Sequence, residues 1–215
     1  MLSSKKISIV LPIYKCNPDL KRLERLYPDA EIIPEYDIKG EGKGEALRKG
    51  SRRATRDYII WLDGDYELPP EQIKNFLSVD ADIVVGCKLL KESKINYTLI
   101  RKVICYICYW ITQALFRFPI HDTQTGLKMF KREVLDKVLP LSHIKGWAFD
   151  VEILALAQQF GYTIKEIPVI VEKDIEGQST IKLQSIYITF WDIISIFKKI
   201  KRGKCLQEFI NENSI

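Results

Sequence analysis

Three carboxylates crowd the end of one apolar run in this chain. The run Tyr58–Leu62 (Tyr-Ile-Ile-Trp-Leu) leads straight into Asp63, Gly64 and Asp65, with Glu67 two residues on. It is short and rich in β-branched and aromatic residues, the composition of a buried strand. Carboxylates this close repel one another unless a cation lies between them. Their ligand atoms are all oxygen, which suits Mg²⁺ or Mn²⁺. In an open α/β sheet, ligands bind beyond the carboxyl ends of the strands, where Asp63, Asp65 and Glu67 would stand. The same residues also satisfy a plain acidic turn bent at Gly64.

Other chemistry-bearing residues are less specific. The loop Gly40-Glu-Gly-Lys43-Gly44 places glycines and one lysine before a basic helix. It lacks the Gly-Lys-Ser/Thr ending of a P-loop, and fits either the approach of a phosphate or ribose to a helix N-terminus or a tight turn. Asp122 can position a reactant, act as a base, or cap a turn. Asp150 reads as a helix cap, and Glu152 could face a substrate. His121 and His143 have no partner spacing for metal or triad work and read as surface residues. Cys105-x-x-Cys108 has no second cysteine pair and reads as helix packing rather than a zinc site.

These residues need a scaffold, and the first 90 positions alternate strand and helix. Residues 7–14 (ISIVLPIY) form a continuous apolar strand, as a central parallel strand does. Asn17-Pro18 opens a helix through about residue 27. Residues 30–36 form a strand, 37–44 the glycine loop, 45–56 a basic helix, and 58–62 the strand that leads into the acids. Pro69-Pro70 opens a further helix to about residue 77, and 81–87 is a strand. Such alternation predicts a mostly parallel sheet covered on both faces.

The second half contains a long helix over 97–118, with Ile100, Ile104, Ile107, Ile111 and Leu115 on one face. Arg101, Cys105, Cys108 and Thr112 lie on another. A strand at 126–130, a helix at 132–138, an amphipathic helix at 148–160 stopped by Gly161, and a strand at 162–171 follow. The last helix, 181–200, carries a narrow polar stripe (Ser185, Thr189, Asp192, Ser195, Lys199) among apolar and aromatic residues. It suits either the plane of a membrane interface or the domain core. The predicted division is an α/β domain over 1–180 and an amphipathic helix and tail over 181–215.

At 215 residues with 47% apolar and 28% charged content, the chain is long enough for one domain with a sizeable core. The net charge of +5 is concentrated near residues 43–56, 88–102 and 198–204, which suits an anionic membrane or phosphorylated ligands. The basic clusters are not interleaved with aromatics in a nucleic-acid-reading pattern. Five scattered cysteines argue against a disulfide framework and for a reducing compartment. The N-terminus does not read as a signal peptide. No apolar run approaches the roughly 20 residues of a spanning helix.

Taken in order, the motifs are more informative. They are Pro12-x-Tyr14, GKGEALRKG from Gly42, the strand with Asp-Gly-Asp, DTQTGLK from Asp122, WAFDVEI from Trp147, EIPV from Glu166, and GQST from Gly177. The series resembles glycosyltransferase family 2. Within it, the chain is similar to enzymes that load a sugar onto dolichyl or another polyprenyl phosphate, more to the glucosyltransferases than to the mannose synthases. The resemblance implies a GT-A fold, a UDP- or GDP-hexose donor, Mg²⁺ or Mn²⁺, inverting transfer, and a peripheral (monotopic) location on the cytoplasmic face of a membrane.

Residue by residue, the resemblance implies metal binding by Asp63 and Asp65, with Glu67 where a third ligand falls. Pro12, Tyr14, Lys43, Asp63 and Gly64 would meet the nucleotide sugar. Lys88, Arg101 and Cys105 would hold the acceptor phosphate, and Asp65, Asp122 and Arg101 would carry catalysis. Two departures stand out. Between Tyr14 and Gly42 the chain is shorter than the family pattern, as if a helix–strand unit were absent, leaving Glu35 or Asp37 to replace a base-binding Asp. The usual late Arg is missing, with Lys173 the nearest cation and Thr180 where Lys is common.

Two other classes compete. A sugar-nucleotide nucleotidyltransferase also has a glycine loop and paired acids, but its loop follows the first strand. A membrane-surface module that has lost donor binding would not bind UDP or GDP.

Overall fold

The structure, a computed structural model, describes residues 6–172, 183–201 and 203, without the side chains of residues 183 and 184. Lys173, Thr180 and the rest of the GQST stretch lie outside the described residues.

Six strands form one sheet in the order β2-β1-β3-β5-β4-β6. They are β1 (Ile7–Ile13), β2 (Glu31–Tyr36), β3 (Tyr58–Leu62), β4 (Ile83–Cys87), β5 (Leu127–Lys131) and β6 (Ile164–Pro168). β1 pairs parallel with β2 and β3, and β4 parallel with β6. β5 runs antiparallel between β3 and β4. The expected mostly parallel α/β sheet is therefore present, with one reversed strand at its centre. β2 forms one edge of the sheet, on the side where the chain is short.

The pleat sorts the strand residues into two cores. Val10, Ile59 and Trp61 face one layer, in which α2 (Lys43–Arg53), α5 (Arg132–Val138), α6 (Phe149–Gln159) and α7 (Leu183–Lys201) bury apolar residues. Ile9, Leu11, Ile60 and Leu62 face the other, with Leu23 of α1 (Leu20–Leu26) and Phe76 of α3 (Ile73–Phe76). Strands buried on both faces read as continuous apolar runs, which is why β1 and β3 were legible.

Several boundaries differ from the sequence reading. Asp19, not Asn17, caps α1 by accepting from the Arg22 amide at 3.0 Å. The Pro69-Pro70 segment makes a 3₁₀ turn before a single helical turn at α3. Helix α6 is not amphipathic: Phe149 through Ala157 are all buried, because α6 lies between the sheet and α7. α7 does not stand apart, since Ile193 and Ile196 join the main core.

The long helix is α4 (Leu99–Phe116), capped by Thr98 and ended by Arg117 in the left-handed conformation at φ 54°. It packs inside out. Arg101, Cys105, Cys108 and Thr112 face the domain, with Thr112 fully buried. Leu99, Ile100, Val103, Tyr106, Ile107 and Trp110 are exposed, Trp110 by 66%. At 18 residues and mean hydropathy 1.3, α4 is long and apolar enough to cross a membrane, contrary to the expectation of no such run. Both its ends are nevertheless tied to the domain. Arg101 pairs with Glu67 near the start, and Phe116 is buried at the end. A helix fixed at both ends lies along the domain rather than projecting from it.

Candidate active site

Strand β3 delivers Asp63 to its carboxyl end, and the following turn presents Asp65. The turn is held by packing. A Cβ on Gly64 would stand 2.9 Å from the Pro12 carbonyl oxygen and 3.3 Å from Cys16 Sγ, so only glycine lets the turn lie on the end of β1. A Cβ on Gly126 would collide with the Asp63 carboxylate, so glycine is required there too. Tyr66 adopts φ 52°, a conformation that disfavours bulky residues, and its buried ring anchors it.

The end of β1 and the end of β2 enclose a cleft of about 370 Å³, lined by Tyr14, Lys15, Cys16, Tyr36, Asp37 and Lys39 among others. Cys16 links this cleft to the acidic turn. Burial pushes its thiol pKa up, and the charges of Asp65 and Asp63 push it further. The Asp37 carboxylate is engaged by the loop itself, accepting from the Glu41 amide at 2.7 Å and the Gly42 amide at 2.8 Å. Asp37 therefore shapes the glycine loop, and the exposed rings of Tyr14 and Tyr36 are the flat surfaces available to a base.

Lys43 opens α2, whose N-terminus is pinned where the Gly44 amide donates to the Lys145 carbonyl at 2.7 Å. Its Nζ lies 2.9 Å from Asp63 Oδ1 and 3.5 Å from Asp150 Oδ2. Asp150 in turn pairs with Lys128 at 2.6 Å, both side chains being almost wholly buried. So Asp63, Lys43, Asp150 and Lys128 make one alternating chain of charges. Burial would raise the Asp150 pKa, but Lys128 and then Lys43 outweigh it and hold the carboxyl below its usual range. Asp150 is thus not a helix cap; Ala148 occupies that position.

A second ionic group lies beside the first. Asp122 is buried and accepts from the amides of Lys88 (3.1 Å) and Gln124 (2.9 Å) and from the Thr125 hydroxyl (3.1 Å). The Lys88 ammonium stands 3.4 Å away. Burial works against the Asp122 charge, but Lys88 and these amides prevail, and its pKa falls below the usual value. A carboxylate so well satisfied is a weak proton acceptor, so the geometry favours positioning over base chemistry.

Arg101 from α4 pairs with Glu67, stacks over the Tyr97 ring at 3.8 Å, and lies near Cys105. Tyr97 also donates to Glu67. The structure therefore gathers Lys88, Arg101 and Cys105 as the sequence suggested, but turns Glu67 towards α4 and away from a shared ligand set with Asp63 and Asp65. Glu152 accepts from the His143 and Ile144 amides, a structural task away from the cleft. His121 is exposed and pairs with Glu166 at 2.6 Å.

Among the described residues no set of three or more carboxylate, imidazole or thiol groups converges to hold a metal unaided. Two carboxylates suffice for a divalent ion that takes its remaining ligands from phosphate and water. Asp65 fits that role. Its side chain faces solvent, while desolvation by the surrounding protein and then the Asp63 charge raise its pKa.

The sequence reading missed Lys128 and Trp147. Lys128 sits inside an apolar strand, and a charge there signals a buried partner. Trp147 lies at the mouth of the site, with Lys43 Nζ 5.6 Å from its ring; only its motif hinted at this.

The profile of glycosyl transferase family 2 matches residues 21–139. A dolichyl-phosphate β-glucosyltransferase of Dictyostelium discoideum is 33% identical over 141 residues, covering 60% of this chain and 42% of that protein. A dolichyl-phosphate β-glucosyltransferase of Trichomonas vaginalis is 29% identical over 195 residues, covering 81% and 57%. The chain thus spans about half the length of the curated relatives it matches. Among solved structures, glucosyl-3-phosphoglycerate synthase from Mycobacterium tuberculosis, in complex with Mn²⁺, UDP-glucose and phosphoglyceric acid, superposes with a TM-score of 0.59. It is 14% identical and the match covers 89% of this chain and 78% of that one. At that identity the likeness is one of fold. With the matched profile running from α1 through the acidic turn and α4 to β5 and α5, the chain belongs to glycosyl transferase family 2.

Proposed function

We propose that this chain transfers a hexose, with inversion, from a UDP- or GDP-sugar to dolichyl or another polyprenyl phosphate, with Mg²⁺ or Mn²⁺, as a peripheral protein on the cytoplasmic face of a membrane. One observation carries the reading. The Asp63/Asp65 turn adjoins Arg101 on the inward face of α4, with Lys88 beside Cys105 of the same face, and α4 turns its apolar side outward. A donor site next to an anion site, under a helix whose far side is apolar, suits a nucleotide sugar and a lipid phosphate. The relatives named for dolichyl-phosphate glucosyl transfer favour glucose.

The residues divide the work. Tyr14 and Tyr36 bracket the cleft for the base, while Lys43 faces the donor phosphates. A divalent ion on Asp63 and Asp65 would neutralise charge on the departing nucleoside diphosphate. Lys88 and Arg101 hold the acceptor phosphate, and Asp122 fixes Lys88 in place. A phosphomonoester is largely dianionic at neutral pH and is already a nucleophile, so the weak basicity of Asp122 does not impede attack. The depressed Asp122 pKa keeps that carboxylate charged, and Lys88 paired with it, at neutral pH. The basic clusters favour the anionic leaflet.

A transfer assay with radiolabelled UDP-glucose, UDP-N-acetylglucosamine and GDP-mannose, polyprenyl phosphate and Mn²⁺ tests the proposal. Product is expected from one donor, abolished by EDTA, and reduced at least about 10²-fold by Asp65→Ala. Transfer from no donor, together with no calorimetric binding of UDP or GDP, would leave the chain a membrane-surface module instead.

A further inference from the structure

Lys43 stands on both oxygens of Asp63, 2.9 Å from Oδ1 and 3.1 Å from Oδ2. Its side chain is only 12% exposed, so the ammonium fills the approach a metal ion would take to the same oxygens. Two cations competing for one carboxylate at this range repel strongly when partly shielded from water.

The ammonium already shares a second carboxylate, Asp150, towards which it can shift further. Asp150 Oδ2 is buried and has no hydrogen-bond partner, with Lys43 Nζ 3.5 Å away. The other Asp150 oxygen is committed to Lys128 at 2.6 Å, so Oδ2 cannot turn to find a donor elsewhere. Helix α2 is fixed by Gly44, where a Cβ would stand 2.6 Å from Phe149 Cβ and 2.9 Å from the Lys145 oxygen. The flexible part is the lysine stem, which ends beside the Trp147 ring.

We infer that Lys43 is an exchangeable counter-ion. It neutralises Asp63 while no divalent ion is bound, and gives up Asp63 to the metal by swinging onto Asp150 Oδ2, where it faces the incoming diphosphate. Metal and nucleotide would then load together: the metal needs Lys43 gone from Asp63, and the diphosphate supplies a second anion to receive it. The inference rests on reading Asp63 and Asp65 as a divalent-cation site.

The test is Mn²⁺ titration of the full chain, followed by loss of the free-ion electron paramagnetic resonance signal, with and without UDP. Lys43→Met is expected to bind Mn²⁺ alone about tenfold or more tightly than the unaltered protein. Its UDP affinity in saturating Mn²⁺ is expected to fall. A purely structural role for Lys43 would weaken both, and that result overturns the inference, as does unchanged affinity for Mn²⁺ alone. Should Lys43→Met fail to fold, Lys43→Gln serves, with a melting curve as the control. In the unaltered protein, Mn²⁺ and UDP are expected to tighten each other at least tenfold; independent binding overturns the exchange. If Mn²⁺ does not bind even with UDP or GDP present, the donor-site reading falls together with the exchange.

Discussion

A lysine placed mid-strand in a protein interior is unfavourable unless its charge is met immediately. Lys128 is 1% exposed and is met by Asp150 and by the Thr125 carbonyl. Removing Lys128 leaves Asp150 only the Lys43 ammonium at 3.5 Å, whereas removing both groups leaves Lys43 paired with Asp63. Lys128→Met is therefore expected to lower stability by about 3–5 kcal/mol, and the added change Asp150→Leu to restore much of that loss. Urea unfolding measures both; a single-variant loss under about 1 kcal/mol would show that the pair is not held in a dry interior. At the same scale, Asp122 illustrates how surroundings choose a role. Its donors favour the charged form, so the residue orients a cation and leaves proton transfer aside.

Among the elements, α4 reverses the usual arrangement. Its small and polar side faces the protein, where Arg101, Cys105 and Thr112 are needed, and its large apolar side faces out. Trp110→Ser changes only that outward side. It is expected to weaken binding to liposomes containing polyprenyl phosphate about tenfold or more, from the lost burial of one large ring, with the melting temperature unchanged. Co-sedimentation with vesicles checks this, and unaltered binding would place the membrane contact elsewhere. The strands β4, β5 and β6 meet at Asp82, which accepts from Lys131 at 2.9 Å and from the Thr163 amide at 2.8 Å and hydroxyl at 2.7 Å. Burial is the largest single influence and opposes its charge, but Lys131 and Thr163 together prevail and lower its pKa from 3.8 to about 2. Because the folded value lies below the unfolded one, its contribution of about 2 kcal/mol is complete above about pH 4 and lost as pH falls through about 2. Asp82→Asn should remove that part of the acid dependence of the melting temperature, and an identical acid profile would contradict it.

At the scale of the whole molecule, the outward apolar side of α4 and the exposed Tyr187, Phe190 and Trp191 of α7 accompany a net charge of +5. Association with anionic vesicles is expected to fall severalfold between low and high salt, as surface charge is screened, but not to vanish, because the apolar contacts persist. Complete release by salt alone would reduce α4 and α7 to an electrostatic role.

How far this was written in the primary structure differs by level. Apolar runs at β1 and β3, ending at the acidic turn, fixed the sheet and the place of Asp63 and Asp65, because burial on both faces demands uninterrupted apolar strands. The Arg101-Cys105-Thr112 stripe was legible from helical spacing alone. Periodicity could not say which side of α4 faces inward, since a membrane and a protein core both accept apolar surface. Nor could it pair Lys128 with Asp150, turn Glu67 towards Arg101, or set Lys43 on Asp63. Those are meetings of residues far apart in sequence, settled by the order in which the strands lie side by side.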